Sequence, residues 1–213
     1  FNTHYSLLRK GEYSVFWKHQ QARYFLFLIA AGSIFIISLN LFNRYSISVI
    51  DSVFQWSSAL GTCGFSSTPV KNLGTDVILA LVFAMIIGGS AGSTTGGIKI
   101  SRFIIFASWV KRNVGWVIED PEKFKEADAE GDKQRAVDRR FIASAILTFL
   151  WVALIVIGVM ILVNAFPYET RLSHILFDSA SAFGSVGLST GLTGPEMPLT
   201  GKIIFILFMW LGR

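Results

Sequence analysis

A segment of the sequence occurs twice, and this internal repeat limits the possible folds more than any other feature. Asp51–Ser67 aligns without gaps on His174–Thr190, and aligned positions lie 123 residues apart. The identical pairs are Phe54/Phe177, Ser58/Ser181, Ala59/Ala182, Gly61/Gly184, Gly64/Gly187 and Ser66/Ser189. Self-similarity at a fixed spacing predicts two copies of one supersecondary unit.

Long apolar segments flank both copies of the repeat. Tyr24–Phe42 and Phe141–Phe166 are each close to or above the length needed to cross a hydrocarbon core of about 30 Å. Ile203–Gly212 begins a further apolar helix. Charged residues are only 15% of the chain, against roughly 25% in soluble domains. The chain is therefore predicted to be an all-α membrane protein.

Two shorter segments within the repeats are unable to cross a membrane. Ile50–Leu60 and Ile175–Phe183 each span about three helical turns, and each is followed by glycine. Their length fits re-entrant helices that enter the membrane and return on the same side. The repeated unit is thus predicted to be helix, pore helix with glycine loop, and helix, as in potassium channels.

A glycine-rich stretch separates two apolar segments that are each too short to span. Thr75–Ile87 and Ile98–Val110 flank Gly88–Gly97. Together they predict one membrane helix broken at mid-depth by a loop. Such a break is tolerated only where the freed backbone groups face water or other protein.

Basic residues predict the orientation of the chain. Twelve of them lie in residues 1–23 and 111–140, and four lie in the segments predicted on the opposite side. Both basic segments are therefore expected in the cytoplasm. The block Glu119–Asp138 carries charges of both signs. It is interpreted as a solvated loop or short amphipathic helix, or alternatively as a docking surface for a cytoplasmic partner.

Other classes of function find little support in the sequence. The net charge is +5, but the basic residues flank apolar runs, which argues against nucleic-acid binding. Gly92–Lys99 resembles a phosphate-binding loop, yet Ile98 separates Gly97 from Lys99 and an apolar segment precedes it instead of a strand. Paired carboxylates, a Ser–His–Asp set and a metal-ligand cluster are missing from the pattern, so no enzyme activity and no cofactor are expected.

The two glycine loops have the character of a cation-binding backbone. A dehydrated cation needs several oxygens, and carbonyls converge on one axis only with unusual φ and ψ values that glycine reaches at little cost. The negative end of the preceding helix dipole also favours a cation there. The alternative is that these small residues only allow close helix packing, which would make the chain a non-conducting membrane scaffold or accessory subunit.

The two loops and the glycine-rich stretch between them resemble the Trk/Ktr/HKT superfamily of potassium transporters, and most closely its TrkH-type uptake subunits. The resemblance implies gated potassium uptake, with potassium as the transported ion. It implies a selectivity filter formed by Thr62, Cys63, Gly64, Phe65, Ser185, Val186, Gly187 and Leu188, with potassium at Thr62, Cys63, Ser185 and Val186. It implies a gate formed by Gly88, Gly89, Ser90, Ala91, Gly92, Ser93, Thr94, Thr95, Gly96 and Gly97, faced by Arg213.

The same resemblance implies that the chain is the C-terminal half of a four-repeat transporter. Residues 1–23 would follow the preceding repeat, 24–112 and 141–213 would be the third and fourth repeats, and 113–140 would be a cytoplasmic loop. The expected partners are the N-terminal half of the same protein, a second copy in a homodimer, and a cytoplasmic nucleotide-binding regulatory subunit. The expected location is the plasma membrane of a bacterium or archaeon.

Several isolated charged residues have open interpretations. Lys99 either lines the inner pore or extends to the cytoplasmic surface. Arg213 lies in an apolar helix, where a charge is costly and usually marks a pathway. Asp51 and Asp178 either attract cations at the outer mouth or, for Asp51, cap a helix, and Asp76 is expected to be a helix cap.

Overall fold

The computed structural model describes residues 20–45, 47–87, 96, 131–166 and 170–212. The described part contains six α-helices and one 3-10 turn, at Val70–Asn72. In chain order the helices are α1 (Gln20–Asn43), α2 (Val49–Leu60), α3 (Thr75–Ile87), α4 (Gly131–Ala165), α5 (Leu172–Phe183) and α6 (Leu199–Gly212).

The six helices form two units of the same order. In each unit a long helix is followed by a helix of 12 residues, a glycine loop and an apolar helix of 13 or 14 residues. α2 and α5 both start just before the repeated segments, and each ends directly before the first repeated glycine. The predicted fold class, an all-α protein of tandem helix–pore-loop–helix repeats, is confirmed.

The helix ends agree with the predicted segments to within four residues, with one larger difference. α3 has the predicted limits, but α4 begins at Gly131, ten residues before the predicted span. Charged residues such as those at 132–140 have good helix propensity, so the helix continues out of the apolar segment. The end of the predicted cytoplasmic loop is therefore helical. Most of the predicted gate (88–95 and 97), Lys99 and Arg213 lie outside the described residues.

Within the first unit, α2 is fixed against α1 by one tryptophan. The Trp56 indole N–H donates to the Leu28 carbonyl oxygen over 2.9 Å. A Cβ at Gly32 would overlap the same indole ring, so the missing side chain allows the two helices to approach. Because lipid tails are as apolar as the side chains, such close packing and hydrogen bonding, rather than water exclusion, hold helices together in a membrane.

Polar contacts at the helix ends fix the connections of the first unit. Ser48 caps α2, its Oγ accepting from the Ile50 N–H. Asp76, in the first turn of α3, accepts from Asn43 Nδ2 over 2.7 Å and from the Tyr45 hydroxyl over 2.9 Å. The hydrogen bond to Asp76 raises the pKa of Tyr45 above its ordinary value, so the phenol stays a donor. Asp76 thus joins the ends of α1 and α3.

The second unit has its own apolar cluster. Leu162 of α4, Phe183 of α5 and Phe208 of α6 are buried there. The rings of Phe183 and Phe208 meet edge to face with centroids 6.4 Å apart, a favoured aromatic geometry. α5 is therefore held between the two longer helices of its unit.

The two units share one core. Phe177 of α5, together with Val186 and Leu188 of the following loop, packs in the same buried cluster as Leu60 and Met85 of the first unit. The second glycine loop consequently rests on side chains of both units.

Two of the described helices are long and apolar enough to cross a membrane. These segments are Ala22–Asn43 and Phe141–Ala165. Only 22% and 18% of their most apolar windows are buried in the protein, and large side chains such as Phe42 and Phe149 point outward. An apolar outer face of this kind is stable in lipid and unstable in water.

Candidate ion-conducting site

Both glycine loops begin with the same backbone turn at the end of a short helix. After α2, the Cys63 N–H donates to the Ser58 carbonyl and the Thr62 N–H to the Ala59 carbonyl. After α5, the Val186 and Ser185 N–H groups make the equivalent bonds to Ser181 and Ala182. This pair of bonds is a Schellman motif, which normally ends a helix with a left-handed residue.

The left-handed positions of these turns are occupied by Thr62 and Ser185, which are not glycine. Their φ angles differ by a single degree, at 51° for Thr62 and 52° for Ser185. A side chain with a Cβ is strained in this region, most of all a β-branched one. The strain is kept in both copies, so the two loops leave their helices along the same path.

The second unusual position in each loop is the repeated glycine. Gly64 has φ of 77° and Gly187 has φ of 93°, values that L-residues with a side chain rarely adopt. The two glycines also adjoin one another. A Cβ at Gly64 would overlap the carbonyl oxygen of Val186, whereas a Cβ at Gly187 would lie 3.9 Å from Gly64 Cα. The structure thus brings the two predicted filter segments side by side.

The side chains of the two loops differ in their surroundings. Val186 and Leu188 are buried in the shared core, whereas Cys63 and Phe65 are exposed, Phe65 to 68%. The second loop is therefore fixed by packing on both sides of Gly187. The first loop is held mainly by its backbone bonds and by the residues that follow it.

One residue of the predicted gate is described, and it touches the second loop. The Gly96 N–H donates to the Gly184 carbonyl oxygen over 3.1 Å. A Cβ on Gly96 would lie 2.7 Å from the Phe183 oxygen and 2.8 Å from the Gly212 oxygen. Gly212 itself lies against the Phe183 backbone. The glycine-rich stretch, the end of α5 and the end of α6 therefore meet at Gly96. Its partner Gly184 directly precedes Ser185.

In the first unit, a buried side chain of the pore helix holds the arm of the loop beyond the glycine. Gln55 Nε2 donates to Ser66 Oγ over 2.8 Å and to the Thr68 carbonyl oxygen and Oγ1 over 3.0 Å each. Gln55 is 2% exposed. Gln55 was not among the residues predicted from the sequence to contribute to the site.

In the second unit, Asp178 holds the corresponding arm. Its carboxylate accepts from Ser189 Oγ over 2.8 Å, from the Thr190 N–H over 2.7 Å and from Thr190 Oγ1 over 3.1 Å. Asp178 is 2% exposed and borders the cavity beside the loop. Its carboxylate is bound by the loop and is not an open charge at the surface. Gln55 and Asp178 are aligned in the repeat. Two polar residues at the same position of a short apolar helix are a sequence signal by which the pair could have been found.

The exposed side of the second loop borders a cavity. Its volume is about 700 Å³, and its lining includes Ser185, Gly187 and Ser189 of the loop with Phe205 and Met209 of α6. Backbone at the repeated glycine is therefore open to a space large enough for water and ions, whereas the opposite side of the loop is packed.

A family model described as TrkH, cation transport protein, matches residues 2–213 of the chain. The chain belongs to the TrkH family. Membership in this family of membrane transport proteins agrees with the apolar outer faces of α1 and α4 and with the paired glycine loops.

Two curated relatives cover most of the chain. The chain is 31% identical to an uncharacterized cation transporter of Methanocaldococcus jannaschii, over 100% of this chain and 42% of that protein. It is 30% identical to the potassium/sodium uptake protein NtpJ of Enterococcus hirae, over 88% of this chain and 41% of that protein. The chain thus spans less than half the length of these TrkH-family relatives.

The fold is also that of a solved TrkH structure. The crystal structure of the potassium transporter TrkH from Vibrio parahaemolyticus matches with a TM-score of 0.75 at 20% identity, over 100% of this chain and 46% of that one. This likeness supports the repeat architecture described above.

Proposed function

We propose that the protein carrying this chain takes up potassium through a gated pore, with backbone carbonyls as its selectivity filter. Residues 62–65 and 185–188 would supply two walls of the filter, and the potassium would bind chiefly at Thr62, Cys63, Ser185 and Val186. The observation that carries the proposal is that Gly64 and Gly187, both with positive φ, lie side by side after equivalent short helices.

The chemistry of this arrangement suits a dehydrated monovalent cation. A ring of carbonyl oxygens replaces the hydration shell of the ion. α2 and α5 both end at the loops, so the partial negative charge at each helix C-terminus adds to the attraction.

The gate is proposed to be Gly88–Gly97, with Arg213 facing it. Support comes from Gly96, which bonds to Gly184 immediately before the second filter segment. A loop docked at this point lies next to the ion path, and its displacement would open that path. Arg213 directly follows Gly212, which packs at the same junction.

Ion flux tests the function directly. The full-length protein is reconstituted in vesicles that are loaded with potassium. Uptake of rubidium, a potassium analogue, is then measured while the outward potassium gradient drives rubidium inward. Gly64→Asp and Gly187→Asp are expected to abolish uptake, because each places a side chain among the carbonyls. Uptake that is unchanged in both variants would refute the pore, and deletion within Gly88–Gly97 is expected to raise uptake.

A non-conducting scaffold is the second candidate, favoured by close helix packing at two other glycines. Gly32 adjoins the Trp56 ring, and Gly158 adjoins the Phe208 ring. Packing of this kind supports a scaffold role without a pore. It gives no reason for positive φ at Gly64 and Gly187, and absence of any cation flux from the wild-type protein would favour the scaffold.

The organisation of the whole transporter is proposed from the resemblance to the Trk/Ktr/HKT superfamily. The chain would supply the third repeat (24–112) and the fourth repeat (141–213), preceded by segment 1–23 and separated by a cytoplasmic loop at 113–140. The N-terminal half, a second copy and a nucleotide-binding regulatory subunit would be the partners in a bacterial or archaeal plasma membrane. Cross-linking of the purified full-length protein tests the dimer, and co-purification tests the regulatory subunit.

A further inference from the structure

We infer that Gln55 and Asp178 are the positioning residues of the filter. Each side chain matches the hydrogen-bonding group, donor or acceptor, that its loop presents to it. The inference rests on the proposed function and adds a determinant of ion selectivity to it. Both side chains lie at the same position of the repeat and are 2% exposed. Both bind the loop two residues after the filter glycine, at Ser66 and Ser189.

The two loops present opposite backbone groups to this position. The first loop offers the Thr68 carbonyl oxygen, an acceptor, which receives hydrogen bonds from the Ser66 hydroxyl and from the Gln55 amide N–H. The second loop offers the Thr190 N–H, which needs an acceptor, and Asp178 supplies a carboxylate oxygen. A carboxylate has no donor when ionised, whereas an amide has both a donor and an acceptor.

These bonds fix the part of each loop that sets the carbonyl positions. Gly64 and Gly187 have positive φ and no side chains to anchor them, so their carbonyls are oriented by the residues on either side. The turn after the helix fixes one side, and Gln55 or Asp178 fixes the other. Loss of either bond lets the carbonyls move, and a movable filter adapts to sodium as well as to potassium.

The polarity of each loop leads to a rule for substitutions. An amide is tolerated at both positions, because Asp178→Asn keeps an acceptor for the Thr190 N–H and Ser189 Oγ is able to reverse its hydrogen bond. A carboxylate is tolerated only at 178, because Gln55→Glu sets an acceptor against the Thr68 carbonyl oxygen. Removal of the acceptor by Asp178→Ala leaves a buried N–H unpaired.

The test compares potassium and sodium uptake in the reconstituted full-length protein. Gln55→Glu and Asp178→Ala are expected to lower the potassium-to-sodium preference about tenfold, which corresponds to one lost buried hydrogen bond of about 1.4 kcal/mol. Asp178→Asn is expected to retain most of the preference. Wild-type preference in Gln55→Glu or Asp178→Ala would overturn the inference, and so would a loss in Asp178→Asn as large as in Asp178→Ala.

Matched controls lie on the same two helices. Ser58 and Ser179 are buried, and their hydroxyl oxygens have no hydrogen-bond partner in the described part of the chain. Ser58→Ala and Ser179→Ala should therefore leave selectivity unchanged. A selectivity loss in these controls equal to that of Gln55→Glu would also contradict a specific role for the positioning residues.

Two milder variants keep the test valid if Asp178→Ala does not reach the membrane. Ser66→Ala and Ser189→Ala each remove an exposed hydroxyl that binds a positioning residue. The same substitutions also remove the bond of Ser66 to Thr68 and the bonds of Ser189 to Gly191 and Thr193. Each is expected to lower the preference about threefold, and an unchanged preference in both would overturn the inference. If the wild-type protein itself moves no cation, the proposed function fails; if it conducts and the variants behave as wild type, only this inference fails.

Discussion

The backbone N–H of Gly96 donates a hydrogen bond to the carbonyl oxygen of Gly184 over 3.1 Å. This bond joins the proposed gate to the residue that directly follows α5 and precedes the second proposed filter segment. Backbone groups make the contact on both sides, so its strength depends on how closely the two segments approach.

Gly96→Ala is expected to raise cation flux. The new Cβ would lie 2.7 Å from the Phe183 oxygen and 2.8 Å from the Gly212 oxygen, which is too close for the loop to stay docked. Rubidium uptake by vesicles that contain the full-length protein measures the effect. Gly194→Ala is the control, because a Cβ there meets no atom within 4 Å, and flux at or below the wild-type rate in Gly96→Ala would contradict the gate.

Gly64→Ala is expected to impair the filter more than Gly187→Ala, although the two glycines are equivalent in sequence. Both substitutions strain a positive φ, at a cost of about 1–3 kcal/mol. Only the Cβ at position 64 also overlaps the Val186 carbonyl oxygen. Potassium affinity and selectivity, compared between the two single variants, check this order, and equal effects would show that the overlap is relieved by loop movement.

Thr62→Gly is expected to stabilise the protein by about 1 kcal/mol, because the strain of a left-handed threonine exceeds the entropy that glycine adds to the unfolded chain. Ser185→Gly should gain less, since serine is not β-branched. Thermal unfolding in detergent gives the comparison. Ser67 lies in the same loop and has no positive φ, so Ser67→Gly should not increase stability. If Thr62→Gly lowers stability, the Thr62 hydroxyl contributes more to stability than the strain costs.

Gly32→Ala is expected to destabilise the first unit by about 1–3 kcal/mol, because the methyl group overlaps the Trp56 ring. Trp56→Phe as a single variant should also be less stable than the wild type, because it loses the hydrogen bond to Leu28. In the double variant the smaller ring relieves the overlap, so its loss should be less than the sum of the two single losses. Additive losses in detergent unfolding would show that the two residues do not interact.

Much of this architecture was predictable from the sequence. Apolar length and the repeat predicted the helices, because these signals depend on composition over many residues. The repeat also predicted the pairing of Gly64 with Gly187. The left-handed turn at Thr62 and Ser185 was not predictable from propensity, since both residues usually avoid that conformation. The roles of Gln55 and Asp178 depend on which backbone group each loop presents, and that is decided only by the folded path of the loop.

The difference between Gln55 and Asp178 also affects how such a protein diversifies. In an assembly of identical subunits, one altered codon changes every wall of a pore at once. In the proposed pore the two walls are encoded separately within one gene, and each has its own supporting side chain. A mutation can therefore change selectivity through one wall of the proposed pore while the other wall keeps its original structure.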